Sequence, residues 1–248
     1  MNSWFRLVLV LYKKELNSFI RRPLLYVVLS LFLFLTGWIF FNYLAALKEM
    51  TNLTLELQVL KPLFGNVNFI FLFLVPLLTM KSFSEESREG TLSLLRMSKL
   101  SHLQIVVSKF LALQTILFAF ILILGLYPLV LYFSGYENFE IIASALFGLC
   151  LSSATYIMVG LFCSSLTKNQ VFSALLSYTI LFSTMLLVLS ANATSNYLVA
   201  QILQYASFLY HFEMMAQGLV RNYSLIYFLS FTGLFGILSK YSLDARRW

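Results

Sequence analysis

The stretch LLYVVLSLFLFLTGWIFFNYLAAL, residues 24–47, decides the fold. It contains no Asp, Glu, Lys or Arg. About 20 apolar residues in a helix cross the hydrocarbon core of a bilayer. Further apolar runs cover residues 63–80 (with Pro76 inside), 103–133, 139–166, 171–191 and 225–239. Hydrophobic residues make up 60% of the 248 positions and charged residues only 11%. A soluble domain carries about 25% charged residues to cover its surface. The composition therefore excludes a soluble enzyme, a disordered chain and a disulfide-stapled secreted module. It predicts an all-α polytopic membrane protein, one domain over residues 1–248 with six transmembrane helices. The third run would measure roughly 46 Å as one helix. It must tilt, kink near Pro128 or begin outside the bilayer. Cys150 and Cys163 lie roughly 20 Å apart along one predicted helix, too far for a mutual disulfide, and read as buried inert thiols.

Basic residues choose the orientation. With six spans both termini share a side. If that side is cytoplasmic, 14 of the 17 Lys and Arg residues lie inside and only Lys48, Lys61 and Arg221 outside. Acidic residues divide five to five, so the net charge of +7 is +9 on the inner face and −2 on the outer. Topology and attraction to anionic lipid account for the basic balance, and nucleic-acid binding need not be invoked. Localisation in a bacterial cytoplasmic (inner) membrane, with cytoplasmic termini, is expected. Residues 192–224 are aromatic but interrupted by Gln201, Gln204, His211, Glu213 and Gln217. If this segment crossed, the basic split would fall to 12 against 5. It reads better as a pair of short helices re-entering the outer leaflet, with polar groups sheltered by protein.

Residues 1–23 have no cleaved signal peptide's form, because the apolar run starts late and is too long. They predict an amphipathic helix on the membrane surface. Trp4, Phe5, Val8, Leu9, Leu11, Tyr12, Leu16, Phe19 and Ile20 share one face, while Arg6, Lys13, Lys14, Asn17, Ser18 and Arg21 fill the other. A basic face opposite an aromatic one suits an interfacial helix. It would serve as an anchor or as a lever touching a cytoplasmic partner. Two capping patterns open predicted spans: Ser101-His102-Leu103-Gln104 and Thr167-Lys168-Asn169-Gln170.

Several chemistries lack their residues. There is no G-x-x-x-x-G-K-[ST] loop for nucleotide and no H-E-x-x-H. The two histidines, His102 and His211, fall on opposite sides of the predicted map, so no metal site is expected. No serine has a histidine placed for nucleophilic catalysis. No acidic residue is expected at mid-bilayer, where an ion pathway would need one. The chain is expected not to be an enzyme and to bind no cofactor itself.

The segment Lys81-Ser82-Phe83-Ser84-Glu85-Glu86-Ser87-Arg88-Glu89-Gly90-Thr91-Leu92-Ser93-Leu94-Leu95, within the connection 81–102, carries the functional signal. Ser82 can cap a helix with Glu85 at its third position, and Glu85, Glu86 and Glu89 suit the helix start. Leu92 and Leu95 add a small apolar face. The result is a short rigid helix, either a solvated connector or a docking knob.

The E-E-x-x-x-G-T-L-x-x-L-L pattern (Glu85-Glu86, Gly90-Thr91-Leu92, Leu94-Leu95), with six spans and the N-terminal helix, resembles the ABC-2 family of ABC transporter permeases. Ser108-Lys109 stands where members carry Gly-Lys, and the Pro common near Lys99 or Leu100 is absent. Tyr210-His211-Phe212-Glu213, Gln217-Gly218, Ile226–Ser230 and Arg246-Arg247-Trp248 are similar to the subgroup with gliding-motility and nitrous-oxide-reductase-maturation permeases. The resemblance implies a complex of two permease subunits, identical or related, with two copies of a separate P-loop ATPase that binds ATP and Mg. The 81–102 connection would be the coupling helix that receives the ATPase's motion. It implies export of a substrate. The alternative is mechanical work passed to an extracytoplasmic partner through the outer segment, without a transported substrate.

Overall fold

The computed structural model describes residues 3–46, 56–91, 100–133 and 138–245. Among these residues no strand occurs and helix accounts for nearly everything. Helix α1 covers Ser3–Ile20 and α2 Pro23–Ala46. A π-helical turn, Glu56–Leu60, leads into α3 (Lys61–Thr79), and α4 follows at Lys81–Arg88. Next come α5 (His102–Leu124), α6 (Leu126–Phe133), α7 (Phe139–Leu166) and α8 (Gln170–Ala193). Two nine-residue helices, α9 (Tyr197–Tyr205) and α10 (Phe208–Ala216), precede α11 (Asn222–Ala245).

Six helical stretches among the described residues are long and apolar enough to cross a membrane: Pro23–Ala46, Gln58–Arg88, His102–Phe133, Phe139–Leu166, Gln170–Ala193 and Asn222–Ala245. The architecture is that of a multi-pass membrane protein. At about 13 Å each, α9 and α10 are too short to cross, as the polar interruptions at 201–217 predicted.

The boundaries differ from the apolar runs in three places. Helix geometry does not stop at the end of the second run, because Met80 keeps helical backbone and its N–H bonds the Pro76 carbonyl at 2.9 Å. The third run breaks at Gly125, just before Pro128. Pro128 has no N–H for the Leu124 carbonyl, and its ring crowds that group. Helix α11 outlasts its apolar run at both ends, so its last turns carry Lys240 and Asp244. Apolarity marks bilayer-embedded length, whereas a helix ends where its backbone bonds end.

Helix α7 is the centre, touching α3, α4, α5, α8, α10 and α11. Its sequence is rich in small residues, and Ser144, Ser152, Ser153, Thr155, Gly160, Ser164 and Ser165 all face protein. Small side chains let helices approach where lipid supplies no hydrophobic drive between them. At Gly160 a Cβ would come within 2.1 Å of the Thr79 hydroxyl on α3. Side-chain hydrogen bonds tie α7 to its neighbours. Gln114 Nε2 on α5 donates to Ser153 Oγ at 3.2 Å, and Tyr156 Oη donates to Asn68 Oδ1 on α3 at 3.3 Å. Thr155 and Thr232 hydroxyls meet at 3.0 Å on α11, and Ser144 Oγ donates to the Met215 carbonyl of α10 at 2.7 Å. Each such bond contributes about 0.6 kcal/mol on average in a membrane. Cys163 is buried, Cys150 half-buried, and both are free thiols.

Candidate functional site

The candidate segment begins where α3 passes into α4. Ser82 does not cap α4. It lies inside the helix, buried, and its hydroxyl has no partner. The capping comes from Ser164, on α7. Its Oγ accepts the N–H groups of Phe83 at 2.9 Å and Ser84 at 3.1 Å, and it donates to the Met80 carbonyl at 3.2 Å. Because Met80 stays helical, Ser82 never adopts the extended backbone a cap needs.

Ionic contacts hold the other side of α4. Lys109 of α5 is only 2% exposed. Its ammonium lies 2.7 Å from Glu86 and 3.1 Å from Glu15 of α1. The Phe83 ring centroid is 5.2 Å away. Glu85 pairs with Arg22, between α1 and α2, at 3.2 Å. Two carboxylates thus share one buried cation, and three helices meet on Lys109. Removing one partner from such a cluster leaves a buried charge uncompensated, at a cost of about 3–5 kcal/mol.

Of the residues singled out in the segment, Glu85 and Glu86 are half-buried and face the body, whereas Glu89, Gly90 and Thr91 are exposed. Gly90 has φ +73°, a left-handed conformation that ends α4 and that a Cβ would strain. Leu92 and Leu95 lie outside the described residues.

Helix α1 has the expected amphipathic form. Trp4, Arg6, Lys13, Lys14 and Arg21 are all exposed. Its apolar face is shared, however. The stripe Val8, Leu11, Tyr12, Glu15, Leu16 and Phe19 is turned toward protein, while Phe5, Leu9 and Ile20 stay exposed. Helix α1 packs along α5, where Tyr12 Oη meets Thr115 Oγ1 at 3.1 Å. The start of α5 carries the Ser101–Gln104 capping box as expected, and His102 pairs there with Asp244 from the end of α11. The second expected box is absent. Asn169 caps α8 instead, its Oδ1 accepting from Val171 N at 2.9 Å. Thr167 sits two residues too early and bonds the Asn169 carbonyl at 3.1 Å.

The segment 192–224 separates its four singled-out residues. Phe212 and His211 are buried, Tyr210 is half-buried, and Glu213 is exposed. His211 is not solvated. Its Nε2 donates to the Tyr205 carbonyl at 2.9 Å, and its Nδ1 accepts from Ser224 Oγ at 3.0 Å. The ring stacks on Tyr227 with centroids 4.0 Å apart. Burial pushes its pKa down, and the Tyr205 carbonyl opposes this only in part. The imidazole is neutral at pH 7. Ser224 and Asp244 are twenty residues apart on α11, roughly 30 Å along its axis, so His211 and His102 mark opposite ends of the bundle.

Lys109, Glu15, Arg22 and Ser164 form the site's frame, and the motif did not include them. A lysine seven residues into a predicted span was the available signal, since a charge there requires a partner. Ser164 had none, because serines are frequent throughout α7.

No family model matches the chain, and no curated protein matches it.

Proposed function

We propose that this chain is the permease subunit of an ABC-2 type transporter, converting the motion of a separate P-loop ATPase into export of a substrate across the cytoplasmic membrane. The observation that carries the reading is the mounting of α4. Its inner side is fastened to α7 through Ser164, to α5 and α1 through Lys109, and to Arg22 through Glu85. Its tip, Glu89-Gly90-Thr91, is exposed. A push on that tip passes into α3 through nearly continuous helix, and into α1 and α5 through the shared ammonium. Both termini, the α4 tip and the basic face of α1 would lie in the cytoplasm. A second permease copy, or a related permease, would complete the path.

The full complex provides the test. Replacing Glu89 and Thr91 by Lys is expected to lower permease-stimulated ATPase activity about tenfold while the permease stays folded. Unchanged stimulation would refute the docking role, and purification with no P-loop ATPase would refute the reading itself.

One observation supports work on an extracytoplasmic partner instead. Helix α9 has no buried residue, and Tyr197, Leu198 and Ile202 are each about two-thirds or more exposed. Crosslinking from these positions to a soluble partner, with no flux in vesicles, would favour that alternative.

A further inference from the structure

Two adjoining hollows lie at the end of α3 opposite α4, the inner one among α3, α7, α8 and α10 and the outer one among α2, α3 and α10. The inner one, about 360 Å³, falls within the roughly 300–1,000 Å³ of small-ligand sites. Both are bordered by Gly65, Asn66 and Glu213, so they form one cleft. The inner part is walled mainly by Leu72, Leu181, Met185 and Phe208. Asn68, 2% exposed, reaches it from α3. Its Oδ1 is engaged by Tyr156, which leaves its amide N–H groups for whatever fills the cleft. A Cβ on Gly65 would meet nothing within 4 Å, so this glycine faces open space.

The mouth has a different chemistry. Lys61 and Glu213 both border it but do not pair with each other within 4.0 Å. Asn66 Nδ2 donates to Tyr43 Oη at 2.6 Å, keeping its carbonyl oxygen as an acceptor. A cation and a carboxylate set apart at the rim match a head group carrying both signs. The apolar interior matches an acyl chain rather than a free amino acid. Phe69, which also lines the cleft, is 41% exposed and stands on the route from the surrounding lipid.

We propose that this cleft binds one phospholipid with a phosphoethanolamine head group. Its ammonium faces Glu213, its phosphate faces Lys61, an ester carbonyl accepts from the Asn68 amide, and a chain lies beside Leu181. The site lies within one protomer and does not depend on ATPase coupling, so either reading can fail alone.

The test uses the purified full-length chain, delipidated in mild detergent, with lysophosphatidylethanolamine and lysophosphatidylglycerol as probes in native mass spectrometry. One lysophosphatidylethanolamine per chain is expected, held at least tenfold more tightly than the glycerol lipid. Gly65→Leu fills the hollow and is expected to weaken retention at least tenfold. Glu213→Gln, at an exposed position that leaves folding intact, is expected to abolish the head-group preference. Equal retention of the two lipids by the unaltered chain, or retention unaffected by Gly65→Leu in folded protein, would overturn the proposal and identify the bound molecules as ordinary boundary lipid.

Discussion

The two ends of the bundle are fastened by different forces. Around α4, charges do the fastening: Lys109 with Glu86 and Glu15, and Arg22 with Glu85. Around α10, neutral hydrogen bonds and aromatic rings do it. His211 is held between Ser224 and Tyr205, and the rings of Tyr205, Phe208, Tyr227, Phe228 and Phe231 surround that cluster. The difference concerns response. A cation shared between two carboxylates changes its energy whenever another charge approaches, because Coulomb terms are long-ranged in a partly buried site. Stacked rings and neutral bonds barely respond to such a field. The α4 end therefore responds to an approaching charge more strongly than the α10 end.

The largest blow to the comparison is Lys109→Met. It leaves Glu15 and Glu86 facing each other without a cation, and a loss of about 3–5 kcal/mol is expected. Thermal unfolding in detergent measures it. Adding Glu15→Gln and Glu86→Gln should recover most of the loss; no recovery would mean that packing, not charge, holds this end.

Two glycines on α7 and α3 come next. Gly160→Ala drives a methyl into Thr79 and is expected to cost about 1–3 kcal/mol. Gly65→Ala, facing open space, should cost nothing and stabilise α3 by up to about 1 kcal/mol. Equal effects at the two positions would contradict the close α3–α7 approach.

The aromatic end should show itself through pH. His211 titrates lower in the folded protein than its unfolded value near 6.5. The unfolded chain therefore binds more protons below pH 6.5. Stability from this residue is complete above pH 6.5 and is lost as pH falls toward the folded pKa. Unfolding followed between pH 8 and 5 should show the decline, and His211→Asn should flatten it. The smallest effect is expected from Arg22→Gln. Its pair with Glu85 is partly exposed, the arginine side chain 35% and the glutamate 23%, and exposed pairs contribute about 0–1 kcal/mol.

Much of this was legible in residue order. The charge-free run 24–47 and its five successors gave the helix inventory, and the fourth span matches α7 at both ends. The polar interruptions at Gln201, Gln204 and Gln217 correctly divided α9 and α10 from the long helices. The candidate site was only half legible. Glu89, Gly90 and Thr91 stand exposed at the α4 tip, but Glu86 turns inward to Lys109 and Glu85 to Arg22. A contact across 23 or 94 residues leaves no local pattern. Ser82 failed as a cap because helical backbone continues through Met80, and the contact that replaces it, Ser164 Oγ to Ser84 N, spans 80 residues.

By itself the sequence determined what is periodic or local: helical content, bilayer-length apolarity, the uneven placement of charge and the capping box at Ser101. These follow from short-range sterics, backbone hydrogen bonding and transfer of side chains out of water. Only the tertiary structure decided which charge meets which. The sharing of Lys109, the burial of His211, the approach of Thr79 to Gly160 and the cleft beside Gly65 arise when helices distant in sequence come within a side chain's reach. Their energies depend on distances that no spacing along the chain encodes.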